Sequence, residues 1–141
     1  MPPLAPYETF EHDADIGVRG RGATLAEAFA NAGRALTAVV TDPSSVREAQ
    51  EVAIACAADD VDSLFFDWMN ALVFEIATRW VLFARYEVAI EGSRLQARAF
   101  GEPVDLDRHH PAVAVKGATW TGLRVARADD GSWVAECVVD V

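Results

Sequence analysis

The stretch Phe10-Glu11-His12-Asp13-Ala14-Asp15-Ile16-Gly17 packs one histidine and three acids into a few residues and then turns apolar at Ile16. Period-two alternation continues through Val18, so the segment reads as two short strands, residues 7–10 and 15–20, around an acidic turn. Carboxylates set this close repel one another unless a cation or a basic group lies among them. The remaining chain then reads as a scaffold that delivers partners to this turn. The candidate partners are the lone lysine, Lys116, and the acidic end Asp140-Val141.

Beyond the turn, Gly20-Arg21-Gly22 punctuates the chain. Thr24-Leu25-Ala26-Glu27 then forms a capping box, with the Thr hydroxyl meeting the amide three residues on. The helix it opens carries Leu25, Ala28, Phe29, Ala32, Leu36 and Val40 at helical spacing, a core stripe. It should stop near Thr41-Asp42-Pro43, because proline disfavours helix in the residue before it. Residues 51–57 alternate as a strand. Asp59-Asp60 offers an N-cap to a second helix over 61–80, whose apolar face runs from Val61 and Leu64 to Ile76. Asp67 and Asn70 fall on the margin of that face.

The rest reads as strands. Residues 82–90 pair with 94–100 through Glu91-Gly92-Ser93, and Gly101-Glu102-Pro103 ends that ladder. Residues 105–111 form a polar excursion. Strands follow over 113–120, 123–128 and 133–139, with Asp129-Asp130-Gly131 as a tight turn. The expected fold is α+β and two-layered, with two main helices on an antiparallel-rich mixed β-sheet, in a single domain over 1–141.

Composition narrows the function. The formal net charge is -10, a field that repels phosphate backbones and argues against direct contact with duplex or RNA. An acidic surface suits a basic protein partner or a bound cation. Cys56 and Cys137 are far apart in apolar runs and read as buried thiols in a reducing cytoplasm. The start lacks the charged and apolar regions of a secretory leader, and no apolar run is long enough to span a membrane. Of the 12 basic residues all but Lys116 are arginine. Either codon bias leaves one residual lysine, or position 116 needs a compact ammonium that a planar guanidinium does not imitate.

No phosphate-cradling glycine loop, nucleophile elbow or Cys/His zinc spacing is present. His109-His110 is adjacent, and neighbouring strand side chains point to opposite faces, which argues against a two-His metal site. Oxygen chemistry remains. Asp15, Asp140 and the terminal carboxylate of Val141 are hard donors that together suit Ca²⁺, Mg²⁺ or Mn²⁺.

Several short motifs share one order and spacing: Glu11-His12-Asp13-Ala14-Asp15-Ile16-Gly17, Thr24-Leu25-Ala26-Glu27-Ala28-Phe29 and Val39-Val40-Thr41-Asp42. They continue through Asp67-Trp68-Met69-Asn70, Gly101-Glu102 followed by His109, Val115-Lys116-Gly117-Ala118-Thr119 and Val139-Asp140-Val141. In these the sequence resembles the archease family, accessory proteins of the GTP-dependent tRNA-splicing RNA ligase, over nearly its whole length. Two positions depart from the family pattern: Asp13 stands where a Thr is usual, and Thr121 where a His is usual.

The resemblance implies a non-catalytic, cytoplasmic activator that promotes guanylylation of the ligase and multiple turnover, touching RNA only through that partner. It implies that Asp15, Lys116 and Asp140 carry the activation. It also implies that Asp15, Asp140 and Val141 hold a divalent cation, Ca²⁺ before Mg²⁺ or Mn²⁺. Two other readings stand beside it. A metal-dependent phosphohydrolase built on Asp15 and Asp140 would turn over alone, and a general chaperone-like modulator of RNA-processing enzymes would expose apolar patches.

Overall fold

The computed structural model describes residues 4–141. Met1-Pro2-Pro3, part of the start read above as no secretory leader, lies outside the described residues. The strands β1 (Tyr7–His12) and β2 (Asp15–Gly22) form an antiparallel hairpin. Helix α1 (Leu25–Val40) follows, then one 3-10 turn (Pro43–Ser45), β3 (Gln50–Ala57) and α2 (Val61–Arg79). Next come β4 (Val81–Glu91), β5 (Arg94–Pro103) and the one-turn helix α3 (Leu106–His109). The chain closes with β6 (Gly117–Ala118), β7 (Arg124–Arg127) and β8 (Trp133–Asp140).

The α+β class stands, and the single expected sheet resolves into two. One runs β1-β2-β8-β6 with β7 also on β8, and the other runs β3-β5-β4. Every pairing is antiparallel. Strand β8 is central in its sheet: β2 lies on one side, while β6 and β7 share the other. Helix α1 packs on both β2 and β4 and so bridges the sheets.

The caps form as local sequence dictates. Thr24 Oγ1 accepts the Glu27 amide at 3.1 Å, and Asp60 Oδ1 accepts the Ser63 amide at 2.7 Å. The α1 stripe is core: Ala28, Phe29, Ala32 and Leu36 are fully buried. Gly20-Arg21-Gly22 does not break the chain as expected but completes β2. A Cβ on Gly20 would sit 2.1 Å from the Ala32 nitrogen, so glycine is what lets α1 lie directly on the strand. Gly101-Glu102-Pro103 likewise belongs to β5. Gly101 lies opposite the β4 bulge at Phe83/Arg85, where a Cβ would meet Leu82 O at 1.9 Å.

The polar excursion takes on a local structure, and the long strand expected after it shortens. Residues 105–111 hold a helical turn capped by the Asp105 carboxylate, with His109 buried inside. Of residues 113–120 only Gly117-Ala118 pair as a strand; the segment before them runs as an irregular strap tied to α1 by Ala112 N–H donating to Val40 O at 2.8 Å.

Candidate functional site

The acidic turn is the tip of the β1–β2 hairpin. His12 pairs with Asp15, leaving Asp13-Ala14 as a two-residue loop. Asp13 adopts φ 52, a left-handed conformation that aspartate tolerates far better than a β-branched residue. Its carboxylate is open to solvent, 4.0 Å from His12 Nδ1. The local gain from Asp at this position is therefore conformational.

Strand alternation sorts the side chains of β2 and β8. Ile16, Val18, Ala135, Cys137 and Val139 face the helices and belong to the core. Asp15 and Asp140 fall on the opposite face. Ile16 is registered with Val139, so one step further along the ladder Asp15 lies beside Asp140. Directly opposed residues of an antiparallel pair hold their Cβ atoms about 5 Å apart. On the other side of β8, Asp140 pairs with Gly117, and Lys116 N–H donates to Asp140 O at 2.7 Å. Asp15, Asp140 and the main chain of Lys116 therefore meet at one end of the sheet.

The same face shows what normally happens to opposed acids. Further down it, Glu8 on β1 and Glu136 on β8 flank Arg19 on β2, which binds them at 2.5 and 2.9 Å. Arg21 and Arg124 complete the alternation, at 2.7 Å from Glu8 and 3.1 Å from Glu136. Arginine hydrogen bonds hold the Glu8 carboxyl below the usual carboxylate range. Asp15 and Asp140 have no such cation: among the described residues neither side chain makes an ion pair, nor does that of Lys116. Asp15 is half-buried, and Asp140 and Lys116 are exposed.

No group of three or more His, Cys, Asp or Glu side chains is gathered for metal binding among the described residues. The oxygen groups that the register brings to this strand end are the carboxylates of Asp15 and Asp140, with Val141 next in sequence. Carboxylate oxygens are hard donors, of the kind that suit hard cations better than soft ones.

Two residues quoted in the motifs above turn out to be structural supports. Asn70 on α2 accepts the Ala118 amide on its Oδ1 at 2.9 Å and so fixes β6; its signal is a lone amide beside an apolar helix face. Glu102, almost buried, accepts from Arg108 at 2.5 and 2.8 Å and from the Arg47 amide at 2.6 Å. The Arg108 guanidinium, foremost, holds its carboxyl down at about 2. His109 Nδ1 accepts the Asp105 amide at 2.8 Å, which leaves Nε2 as the donor to Glu102 at 3.1 Å. This cluster anchors α3 and the head of the strap that leads to Lys116. His109 is therefore a satisfied core histidine.

The cysteines are free: Cys137 is buried and Cys56 half-buried. Burial pushes the Cys137 thiol up to about 12; burial and then Asp67 raise that of Cys56, so neither is poised as a nucleophile. No helix among the described residues is long and apolar enough to cross a membrane.

Two antiparallel sheets bridged by a helix make this an α+β protein. The sequence model of the Archease protein family (MTH1598/TM1083) matches residues 7–141, and the chain belongs to that family. It is 32% identical to the protein archease of Pyrococcus abyssi over 139 residues, covering 96% of this chain and 98% of that one. It is 36% identical to that of Methanopyrus kandleri over 140 residues, covering 96% and 99%. The solution structure of Methanobacterium thermoautotrophicum protein 1598 superposes with a TM-score of 0.85 at 31% identity, covering 96% of this chain and 99% of that one. A crystal structure from Thermotoga maritima, described as an archease and possible chaperone, shares the fold at a TM-score of 0.59 and 17% identity, with 94% of each chain covered.

Proposed function

We propose that this chain is a non-catalytic accessory protein that activates a GTP-dependent RNA ligase of tRNA splicing, promoting guanylylation of the ligase and repeated turnover. Family membership supports a helper role, as does the description of the Thermotoga relative as a possible chaperone. The observation that carries the proposal is the register β2–β8–β6, which gathers Asp15, Asp140 and Lys116 at one strand end with their charges unpaired.

Asp15, Asp140 and the main-chain oxygens of Val141 hold a divalent cation, Ca²⁺ before Mg²⁺ or Mn²⁺. When bound, that ion neutralises charge on a triphosphate. Lys116 presents its ammonium to a phosphate oxygen as a point charge. Its main chain is pinned to Asp140, so the ammonium is offered from a fixed base rather than a loose loop. The acidic body docks on a basic partner surface and meets RNA only through that partner. Free thiols fit a cytoplasmic location.

The test mixes purified protein with a cognate ligase, GTP and Mn²⁺ and follows formation of the ligase–guanylate adduct. Wild type accelerates it, while Asp15→Ala and Asp140→Ala fold normally and give no acceleration. Full stimulation by both variants refutes the mechanism, and GTP turnover by this protein alone would make it an enzyme. Calorimetric titration with Ca²⁺, Mg²⁺ and Mn²⁺ should show binding that Asp140→Ala abolishes.

A further inference from the structure

Helix α2 is apolar on more than its core side. Leu64, Phe65, Trp68, Met69 and Leu72 are buried, yet Phe74 is 63% exposed, and Trp80 at the C-cap is 59% exposed. The two aromatics leave large apolar side chains uncovered at the C-terminal end of a helix whose other exposed positions are mostly polar. Below its last turns lies an apolar groove of about 440 Å³, lined by Val73, Ile76, Trp80, Leu82, Val113 and Val115 among others. Its far wall is the irregular strap of residues 111–115, which leads directly to Lys116.

Trp80 adds an independent observation. It occupies φ 55, ψ 52, the left-handed region that glycine or asparagine adopts cheaply and a bulky aromatic does not. Its carbonyl accepts the Val104 amide at 3.0 Å, a bond any residue could make. The indole gains little burial in return. A strained residue that contributes neither backbone fit nor core packing points to a role outside the fold.

We infer that the groove between the end of α2 and the strap is a docking site for an apolar segment carried on a basic protein surface, with Trp80 as its anchor. Charge selects the occupant. The chain carries -10 overall, and two copies would repel one another. Near the groove, Asp107 at the head of the strap is an exposed acid with no ion pair among the described residues, whereas Arg79 is already engaged by Glu75. Tryptophan is among the residues that dominate interface energies, and contiguous exposed apolar surface marks such sites. Because the strap joins groove to strand end, a partner seated on Trp80 brings its own active centre to Asp15, Asp140 and Lys116.

The choice of partner rests on the ligase reading, and the experiment separates the two. Purified cognate ligase is titrated with wild type, Trp80→Asn, Val113→Ser and Asp140→Ala, and both the dissociation constant and guanylylation are measured. Trp80→Asn and Val113→Ser should each weaken binding about tenfold or more, with stimulation recovered at saturating protein. Asparagine suits the backbone at position 80, so Trp80→Asn should melt no lower than wild type. Asp140→Ala should lose stimulation at every concentration. Wild-type affinity in both groove variants overturns the groove and leaves the ligase reading standing. If wild type neither binds nor stimulates the ligase, the ligase reading falls, and an amphipathic helical peptide of Leu and Lys decides the groove. Peptide binding weakened by Trp80→Asn supports it, and equal or no binding overturns it. A dimer that Trp80→Asn dissolves would make the occupant a second copy and overturn the basic-partner assignment.

Discussion

At the scale of single residues, the contrast between Arg19 and Lys116 is instructive. Both lie among acids, but the Arg19 guanidinium is committed to two fixed carboxylates while the Lys116 ammonium has no partner among the described residues. A guanidinium at position 116 is a planar fork suited to bidentate pairing with carboxylates, whereas the compact ammonium meets a phosphate oxygen as a point charge. Lys116→Arg should therefore keep the fold and the affinity for the ligase but lower stimulated guanylylation at least about tenfold. Equal rates for the two proteins would return the lone lysine to codon bias. The charge pattern flagged this residue and the acidic turn from sequence alone, because net charge and residue type need no neighbours to be read. Asn70 and Glu102 stood in motifs, but their bonds were not legible: an amide or a carboxylate has the same one-letter appearance whether solvated or locked to a distant main-chain N–H.

Among elements, caps and stripes were legible and pairings were not. Thr24, Asp60 and the α1 stripe act within a few residues, so periodicity finds them. The division into two sheets depends on which strands meet, and a two-residue β6 stands where alternation suggested eight because the strap before it serves the groove wall and the bond to Val40. What fixes the strap at its head is the Glu102–Arg108–His109 cluster. Removing one partner of such a buried pair costs about 3 kcal/mol, so Glu102→Gln should destabilise the fold by that order in urea titrations at neutral pH. The sign with pH follows from the lowered carboxyl. Glu102 contributes its full stability above the ordinary value of 4.5, and that contribution is lost as pH falls through about 2. The difference between wild type and Glu102→Gln should accordingly shrink between pH 4.5 and 2. A difference that stays constant over that window would show that Glu102 acts by shape rather than by charge.

Over the whole molecule, the acidic surface and the apolar groove are proposed to play separable parts in meeting a basic partner. Long-range attraction raises the rate of encounter and is screened by salt, with a Debye length falling from about 10 Å at 0.1 M to about 3 Å at 1 M. Contacts buried in a groove act after encounter and govern escape. Stopped-flow association with the ligase should therefore slow steeply as salt is raised, while dissociation changes little. Trp80→Asn should show the converse: an association rate near that of wild type with the same salt slope, and dissociation faster by the factor lost in affinity. Neutralising exposed acids away from the strand end, as in Asp62→Asn with Asp67→Asn, should flatten the salt slope and leave dissociation unchanged. If Trp80→Asn alters only the association rate, the indole belongs to the steering surface and not to a seated contact, and the division of labour between charge and groove fails.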